Sequence, residues 1–303
     1  MEVESRAPFL KQFSELTKRG WVNHIRNPLT FRARMGQTII MSILTGLVYL
    51  RLGYDQVNIS DRIGALFFMS LTQIMANLNG VLLTFPLERA LLVREYSNGM
   101  YSVSAYYLGK FISTLPFDIF FPVVFSCVVY WLVGLNSAAS SFFLFIFALV
   151  LTSLVAGSMG IMLGCLFPNA EVAVSLAPVV IIPFMLFAGF YVSLSSIPVW
   201  LSWIQYISIF KWALQALIVN EFYNETFTCA PSEYIQVSTT EGIVQVCPVT
   251  NGLQVLTKYD YITTSFASFW IAIGVMLGLW VFFRVTALLL LIYQTKRAVS
   301  KNQ

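Results

Sequence analysis

Charged residues stand close together in one short stretch of a chain that is otherwise mostly hydrocarbon. The sequence is 58% hydrophobic and only 11% charged, yet residues 87–110 read LERALLVREYSNGMYSVSAYYLGK. Ionised side chains of both signs suit charge-assisted hydrogen bonds to another protein surface. A solvated loop beside a membrane is the alternative interpretation. The charged positions that carry this hypothesis are Glu88, Arg89, Arg94, Glu95 and Lys110.

Residue patterns that would catalyse a reaction are absent from the sequence. It holds no GxxxxGK[ST] phosphate loop, no metal-ligand cluster, no carboxylate pair at a workable spacing and no nucleophile elbow. The single histidine, His24, ends a basic amphipathic segment and is interpreted as a solvated or interfacial side chain. We therefore expect no catalytic residue, no metal and no cofactor in this chain. Transport, channel formation and scaffolding remain as function classes.

Six apolar segments are long enough to cross a bilayer. A spanning helix needs about 20 mostly apolar residues, because lipid offers no partner to backbone N–H and C=O groups. Residues 196–220 are apolar and tryptophan-rich but broken by polar residues. Residues 195–263 are therefore predicted to form a re-entrant helix region and an outer loop rather than a seventh span. The predicted fold is therefore all-α and polytopic. The six predicted spans are 34–52, 63–87, 107–135, 141–167, 172–194 and 265–293.

Basic residues indicate the orientation, because Lys and Arg are retained on the cytoplasmic side. Both termini are predicted to be cytoplasmic, which places 13 of the 18 Lys and Arg residues inside. The net charge of +4 is thus a topology signal, and no nucleic-acid partner is expected. Residues 1–33 form a predicted amphipathic helix on the inner membrane surface. Arg284 lies within the last span, about two turns from its inner end. There its guanidinium either extends to the membrane surface or pairs with another group.

Two kinds of residue agree with this orientation. The glycosylation sequons at Asn58 and Asn224 both fall in predicted outer loops. Cys229 and Cys247 share an outer segment, where an oxidising compartment favours a disulfide, although two free thiols are the alternative. The chain is predicted to be a multi-pass protein of the plasma membrane or an endomembrane.

A few positions inside the spans are unusual for lipid-facing helices. Placing the Asp118 carboxylate in hydrocarbon costs free energy unless it is paired or hydrated, so Asp118 is a functional candidate. The alternative is a shallow position in which the carboxylate reaches the headgroups. Gly160 and Gly164 in the fourth span allow close helix approach, which favours packing within the chain over a dimer seam.

A long stretch of the sequence resembles a known family. The segment FPLERALLVREYSNGMYSVSAYYLGKFISTLPFDIFFP is similar to the first cytoplasmic loop and third span of the G subfamily of ABC transporters, the eye-pigment, sterol and multidrug half-transporters. The resemblance extends over RNPLTFRAR, RIGALFF and FAGFYVSLSSIPVWLSWIQYISIFKWALQALIVNEF, and to the two-cysteine loop before the last span.

This resemblance implies a six-span permease domain, residues 34–303, preceded by a connecting helix, residues 1–33. It implies that residues 88–99, with Glu88, Arg89, Arg94 and Glu95, form a coupling helix that touches an ATPase domain. In the family Glu88 belongs to a polar relay, for which either Arg26 or Arg32 is the expected partner here. ATP and Mg belong to a nucleotide-binding domain whose motifs this chain lacks, so the chain alone is not expected to pump.

The resemblance also implies a substrate path between the second and fifth spans of two protomers. It places Phe68, Thr72 and Met75 opposite Ile182 and Met185, and a stripe of aromatic, sulfur and hydroxyl groups suits flat apolar ligands. Core packing is the alternative for each of these residues. Phe190 and Tyr191 occupy the positions of an apolar gate above this path.

The sequence thus predicts the permease domain of a half-transporter that dimerises and exports or flips an amphipathic, lipid-like or apolar substrate. Its expected partners are an ABC nucleotide-binding domain, a second half-transporter, membrane lipid and a small amphipathic substrate. The alternatives are an ATP-independent scramblase or channel-like module and a scaffold that transports nothing.

Overall fold

The computed structural model describes residues 7–26, 28–192, 196–223, 225–229, 233–239, 242–258 and 265–302. These ranges contain ten helices and one two-stranded hairpin, in the following order along the chain. They are α1 (Phe9–Arg26), α2 (Pro28–Val48), α3 (Gln56–Ser97), α4 (Val103–Val133), α5 (Ala139–Leu166), α6 (Ala170–Leu186), α7 (Ser202–Ile207), α8 (Ile209–Phe222), β1 (Ile235–Thr239), β2 (Gly242–Val246), α9 (Gly252–Lys258) and α10 (Ala267–Asn302).

Within the described ranges, four helices are long and apolar enough to cross a membrane: α3, α4, α5 and α10. Helix α6 is apolar but has only 17 residues, and α2 occupies the position of the first predicted span. The polytopic helical class is therefore confirmed. The count of six spans and the re-entrant path of α7 and α8 remain predictions.

The helix boundaries follow from local chemistry. Helix α2 begins at Pro28, six residues before the predicted span, because proline lacks the N–H that a first helical residue leaves unused. Ser102 accepts a hydrogen bond of 3.3 Å from the Ala105 N–H and caps the start of α4. Gly134 ends α4 with φ of 71°, a left-handed conformation that glycine adopts without a Cβ clash.

Helix α5 lies at the centre of the bundle, against α3 on one side and α10 on the other. A Cβ on Gly160 would lie 3.1 Å from the Cβ of Val81, and one on Gly164 would lie 2.9 Å from the Phe85 ring. The glycine pair of the fourth predicted span therefore allows α5 to approach α3 within the same chain. Helix α8 is buried along its whole length against α5 and α10.

Helix α1 packs along the first half of α4. A Cβ on Gly20 would lie 2.5 Å from the Ser113 hydroxyl oxygen, and one on Gly109 would lie 3.2 Å from the Leu16 Cβ. Further along, the rings of Trp21 and Phe117 lie 5.6 Å apart. The amphipathic segment is therefore a helix of the bundle, and we call the end of the bundle that carries it the α1 end.

The structure corrects one expectation from the sequence and adds one element to it. Residues 88–97 are the last turns of the 42-residue helix α3, which continues through Pro86 to Ser97, rather than a separate coupling helix. The helical class stands, with one addition that the sequence did not predict: a hairpin of β1 and β2, which pair antiparallel from Ile235↔Val246 to Thr239↔Gly242. The hairpin belongs to the segment between α8 and α9, at the opposite end of the bundle, which we call the disulfide end.

Candidate functional site

The charged stretch is tied to α1 by an ion pair. Arg19 on α1 donates two hydrogen bonds of 3.0 Å, one to each carboxylate oxygen of Glu95. The Tyr101 hydroxyl donates a further hydrogen bond to Glu95 from the turn between α3 and α4. Burial, and after it the Glu95 carboxylate, raise the pKa of the Tyr101 phenol. The two hydrogen bonds between Arg19 and Glu95 fix the orientation of α1 as well as its distance from α3.

Glu88 pairs with α4 rather than with α1. Its carboxylate accepts hydrogen bonds from the Lys110 ammonium and, at 3.2 Å, from the Tyr106 hydroxyl. The expectation that Arg26 or Arg32 would be its partner is wrong, because α3 and α4 are adjacent at this level and Lys110 reaches across between them. Two ion pairs at the α1 end thus join three helices.

Arg89 holds the end of α5. Its guanidinium donates to the carbonyl oxygens of Cys165 and Pro168, both at 2.8 Å, and to the side-chain oxygen of Gln294 on α10 at 3.1 Å. The last carbonyls of a helix have no partner within the helix, so such donors satisfy them. Gln294 was not singled out from the sequence, since an isolated glutamine near a helix end carries no pattern. Arg94, by contrast, is exposed.

A buried ion pair at the disulfide end was missed by the sequence reasoning. Arg62, fully buried at the start of α3, pairs with Glu221 on α8. The other Glu221 oxygen accepts a hydrogen bond of 3.1 Å from the Asn136 N–H. The Arg62 guanidinium also donates to the Gly53 carbonyl and lies 3.9 Å from the centre of the Tyr54 ring. The only sign of this pair in the sequence was one charged residue near the end of each of two apolar segments.

The predicted substrate residues lie on two helices that contact each other, α3 and α6. Phe68, Thr72 and Met75 are all half-buried and share one side of α3. On α6, Ile182 is 47% exposed, whereas Met185 packs partly against the core. The structure therefore leaves this surface partly open in the single chain, with Ile182 exposed and Met75 packed in part against the core.

A polar crevice lies between α2, α3 and α4, and Thr72 is one of its lining residues. Arg34 donates to the Asn77 side-chain oxygen, and its guanidinium lies 3.7 Å from the Asp118 carboxylate. Asn77 in turn donates to the Ser153 hydroxyl on α5. The structure therefore gives Asp118 an arginine partner inside the bundle.

The predicted gate residues follow α6 directly. The Phe190 ring stacks on Phe67 of α3 with ring centres 4.5 Å apart and planes 7° apart. The Tyr191 ring meets Phe67 edge-on at 5.4 Å and is 55% exposed. Gly189 has φ of 87°, which turns the chain after α6 so that Phe190 reaches α3.

The disulfide end holds the remaining predicted residues. The structure joins Cys229 to Cys247, with their Cα atoms 6.0 Å apart. Asn58 lies in the first turn of α3 rather than in a loop, and it is half-buried. Asn224 lies outside the described residues. Among the residues that the structure describes, no three His, Cys, Asp or Glu side chains are grouped as metal ligands.

The fold and these polar contacts define a polytopic helical membrane protein whose amphipathic helix is tied to the ends of its long helices. Residues 11–222 match the family model described as ABC-2 type transporter, and the chain belongs to this family. It is 31% identical over 294 residues to ABC transporter G family member 1 of Dictyostelium discoideum, which covers 95% of this chain and 36% of that protein.

Two further relatives come from animals. Over 240 residues the chain is 33% identical to the mouse protein named broad substrate specificity ATP-binding cassette transporter ABCG2, covering 79% of this chain and 36% of that protein. It is 29% identical over 292 residues to protein white of Drosophila melanogaster, covering 96% of this chain and 41% of that protein. The chain therefore spans 36% to 41% of the length of these relatives.

Proposed function

We propose that this chain is the permease domain of a G-type half-transporter, which dimerises and exports or flips an amphipathic, lipid-like or apolar molecule. The energy comes from ATP hydrolysed, with Mg, by a nucleotide-binding domain outside the given sequence. The observation that carries the proposal is the joint of α1, α3 and α4, built from the pairs Arg19–Glu95 and Glu88–Lys110. Both termini lie on the cytoplasmic side in this proposal.

The joint suits a coupling role because of where α3 runs. Helix α3 is 42 residues long, so at about 1.5 Å per residue it extends roughly 60 Å, twice the hydrocarbon thickness. Its charged last turns therefore stand clear of the hydrocarbon while its first half carries Phe68 and Thr72. A push on the last turns reaches the substrate surface through one continuous helix.

The open surface of α3 and α6 supports a dimeric substrate site. Ile182 is exposed in the single chain, and Phe68 and Met75 are half-buried beside it. A second half-transporter facing this surface would enclose a slot lined by aromatic and sulfur side chains, which offer large and adaptable contact area to apolar ligands.

The test for coupling is charge reversal at Glu88 with an ATPase domain joined to the chain. We expect Glu88→Lys to insert and fold but to lose about tenfold in transport per ATP hydrolysed. Reversal turns the attraction to Lys110 into repulsion, and a shift of about 1.4 kcal/mol in a conformational equilibrium is tenfold. The paired exchange Glu88→Lys with Lys110→Glu should restore part of the loss.

Asp61→Lys is the matched control, because Asp61 is an exposed carboxylate at the opposite end of the same helix. Normal export and normal ATPase stimulation in Glu88→Lys would rule out the coupling role. For the substrate surface, Phe68→Ala and Met185→Ala should lower substrate-stimulated ATPase activity, whereas Phe120→Ala on α4 should not. Equal losses at all three positions, in step with stability, would indicate core packing instead.

An ATP-independent scramblase is the second candidate, because the polar crevice beside Arg34 and Asn77 is a feature that a headgroup path requires. Lipid flipping by the 303-residue chain in liposomes without ATP would favour the scramblase over the coupled transporter.

A further inference from the structure

Arg284 lies in the middle of α10, where its guanidinium has Tyr107 on α4 as a polar neighbour among the described residues. The guanidinium carbon is 4.5 Å from the centre of the Phe111 ring and 6.0 Å from that of Tyr107, both on α4. Its Nε is buried without a partner in the described part of the chain. Ring faces attract a cation but leave the directional N–H donors of arginine unused.

In the described chain, the carboxylates of Asp118 and Glu88 are already engaged by other cations. Asp118 is within electrostatic range of Arg284, but its ion pair is with Arg34 at 3.7 Å. Glu88 pairs with Lys110, whose ammonium interacts repulsively with Arg284. Three cations thus face two carboxylates, and one positive charge remains without a paired anion.

His24 on α1 responds to the same field. Partial burial lowers the pKa of its imidazole, and the positive charges of Lys110 and Arg34 lower the pKa further. His24 therefore adds no negative charge to the cluster, and the positive charges of Lys110 and Arg34 extend to α1.

The depth of Arg284 in the membrane indicates which kind of anion would bind to it. Counting about 1.5 Å per residue from Ala267, the Arg284 Cα lies roughly 25 Å along α10, near one edge of a hydrocarbon layer about 30 Å thick. The Tyr107 hydroxyl donates to the Arg284 carbonyl at 3.0 Å, which places this edge at the α1 end. The neighbouring side chains Val281 and Val285 are more than half exposed and apolar, a surface for an acyl chain rather than for a dissolved ion.

We propose that Arg284, backed by the Phe111 ring, binds the phosphate of an anionic phospholipid in the leaflet at the α1 end. The phosphate accepts hydrogen bonds from the guanidinium, and the acyl chains lie along the exposed valines of α10. This site is separate from the proposed substrate surface of α3 and α6 and does not depend on ATP-driven transport.

The test is native mass spectrometry of the purified 303-residue chain with phosphatidylglycerol or phosphatidylcholine added. The wild-type chain should retain phosphatidylglycerol in preference to phosphatidylcholine. Arg284→Gln should weaken retention of phosphatidylglycerol by about tenfold, the value expected for losing charge-assisted hydrogen bonds. Arg284→Lys should show an intermediate loss, because it keeps the charge without the planar fork. Excess inorganic phosphate should displace none of the bound lipid.

Arg297→Gln is the matched control, since it removes an exposed arginine from the same helix beyond the hydrocarbon. Equal lipid retention in wild type and Arg284→Gln overturns the proposal, as does displacement by inorganic phosphate. Loss of dimer in Arg284→Gln with unchanged lipid retention also overturns it, because a second copy would then cover this surface. If Arg284→Gln does not fold, Arg284→Lys takes its place in the test. Lipid retention by Arg284→Lys equal to that of wild type would then contradict the proposal.

Discussion

Arg19 and Glu95 are 76 residues apart in sequence and are joined by two hydrogen bonds of 3.0 Å. The guanidinium fork matches the two carboxylate oxygens, so the contact sets both distance and angle between α1 and α3. Side-chain exposure is 48% for Arg19 and 15% for Glu95, so water reaches one partner. The pair is therefore better suited to fixing geometry than to stabilising the fold.

Reversing the Arg19 charge should loosen α1 without unfolding the bundle. For a pair this exposed we expect a cost of about 0.5–1 kcal/mol in Arg19→Glu. The measurement is hydrogen exchange of the α1 amides, which should become faster while exchange in α5 stays unchanged. The double variant Arg19→Glu with Glu95→Arg should regain part of the protection, and Lys18→Glu, at an exposed neighbour, should behave as wild type. Equal effects at Lys18 and Arg19 would contradict a specific pair.

Close packing of α1 on α4 depends on Gly109. A Cβ there would lie 3.3 Å from the backbone nitrogen of Thr17, which cannot move aside as a flexible side chain can. We expect Gly109→Ala to cost about 1–3 kcal/mol through overpacking. Gly36→Ala on α2 is the matched control, because a Cβ there meets nothing within 4 Å. Thermal unfolding in detergent measures both variants, and equal midpoints would show that α1 shifts without cost.

The buried pair Arg62–Glu221 should dominate the stability of the disulfide end. Arg62→Leu leaves the Glu221 carboxylate buried without its cation, which we expect to cost about 3–5 kcal/mol. The double variant Arg62→Leu with Glu221→Leu should recover much of this loss, because no unpaired charge remains. Unfolding midpoints of the two single variants and the double variant form a cycle that measures the coupling. Additive losses would show that the pair does not act as a unit.

The docking of α1 should weaken in acid because of His24. The folded state lowers the pKa of this imidazole below its usual 6.5, so folding favours the neutral ring. Its contribution is fully present above that usual value and is lost as the pH falls through the folded pKa. Exchange of the α1 amides should therefore accelerate between about pH 7 and about pH 5. His24→Gln should flatten the profile once intrinsic exchange is corrected, and an unchanged profile in this variant would assign the effect to another group.

Several features of the molecule were predictable from local sequence. The long apolar runs fixed α3, α4, α5 and α10, because backbone groups in lipid must pair within a helix. The amphipathic pattern of residues 1–33 indicated α1, and Gly160 and Gly164 indicated close packing within the chain. Charge content predicted that residues 87–110 would contact another protein surface, and the structure shows Glu88 and Glu95 in ion pairs within the chain.

The partners of those charges were decided only by tertiary structure. The hypothesis of Arg26 or Arg32 for Glu88 was wrong, and Lys110 takes that place because α4 lies beside α3. An ion pair depends on which helices are neighbours and on their rotation, neither of which is encoded in the spacing along one helix.

The sequence by itself determined the membrane class and the family resemblance, since both depend on composition and on contiguous motifs. Only the tertiary structure decided that Arg62 meets Glu221 across 159 residues and that Arg284 faces aromatic rings on α4. A hydrophobic run specifies a helix through local hydrogen bonds, whereas a buried charge acquires its partner only when distant helices pack together.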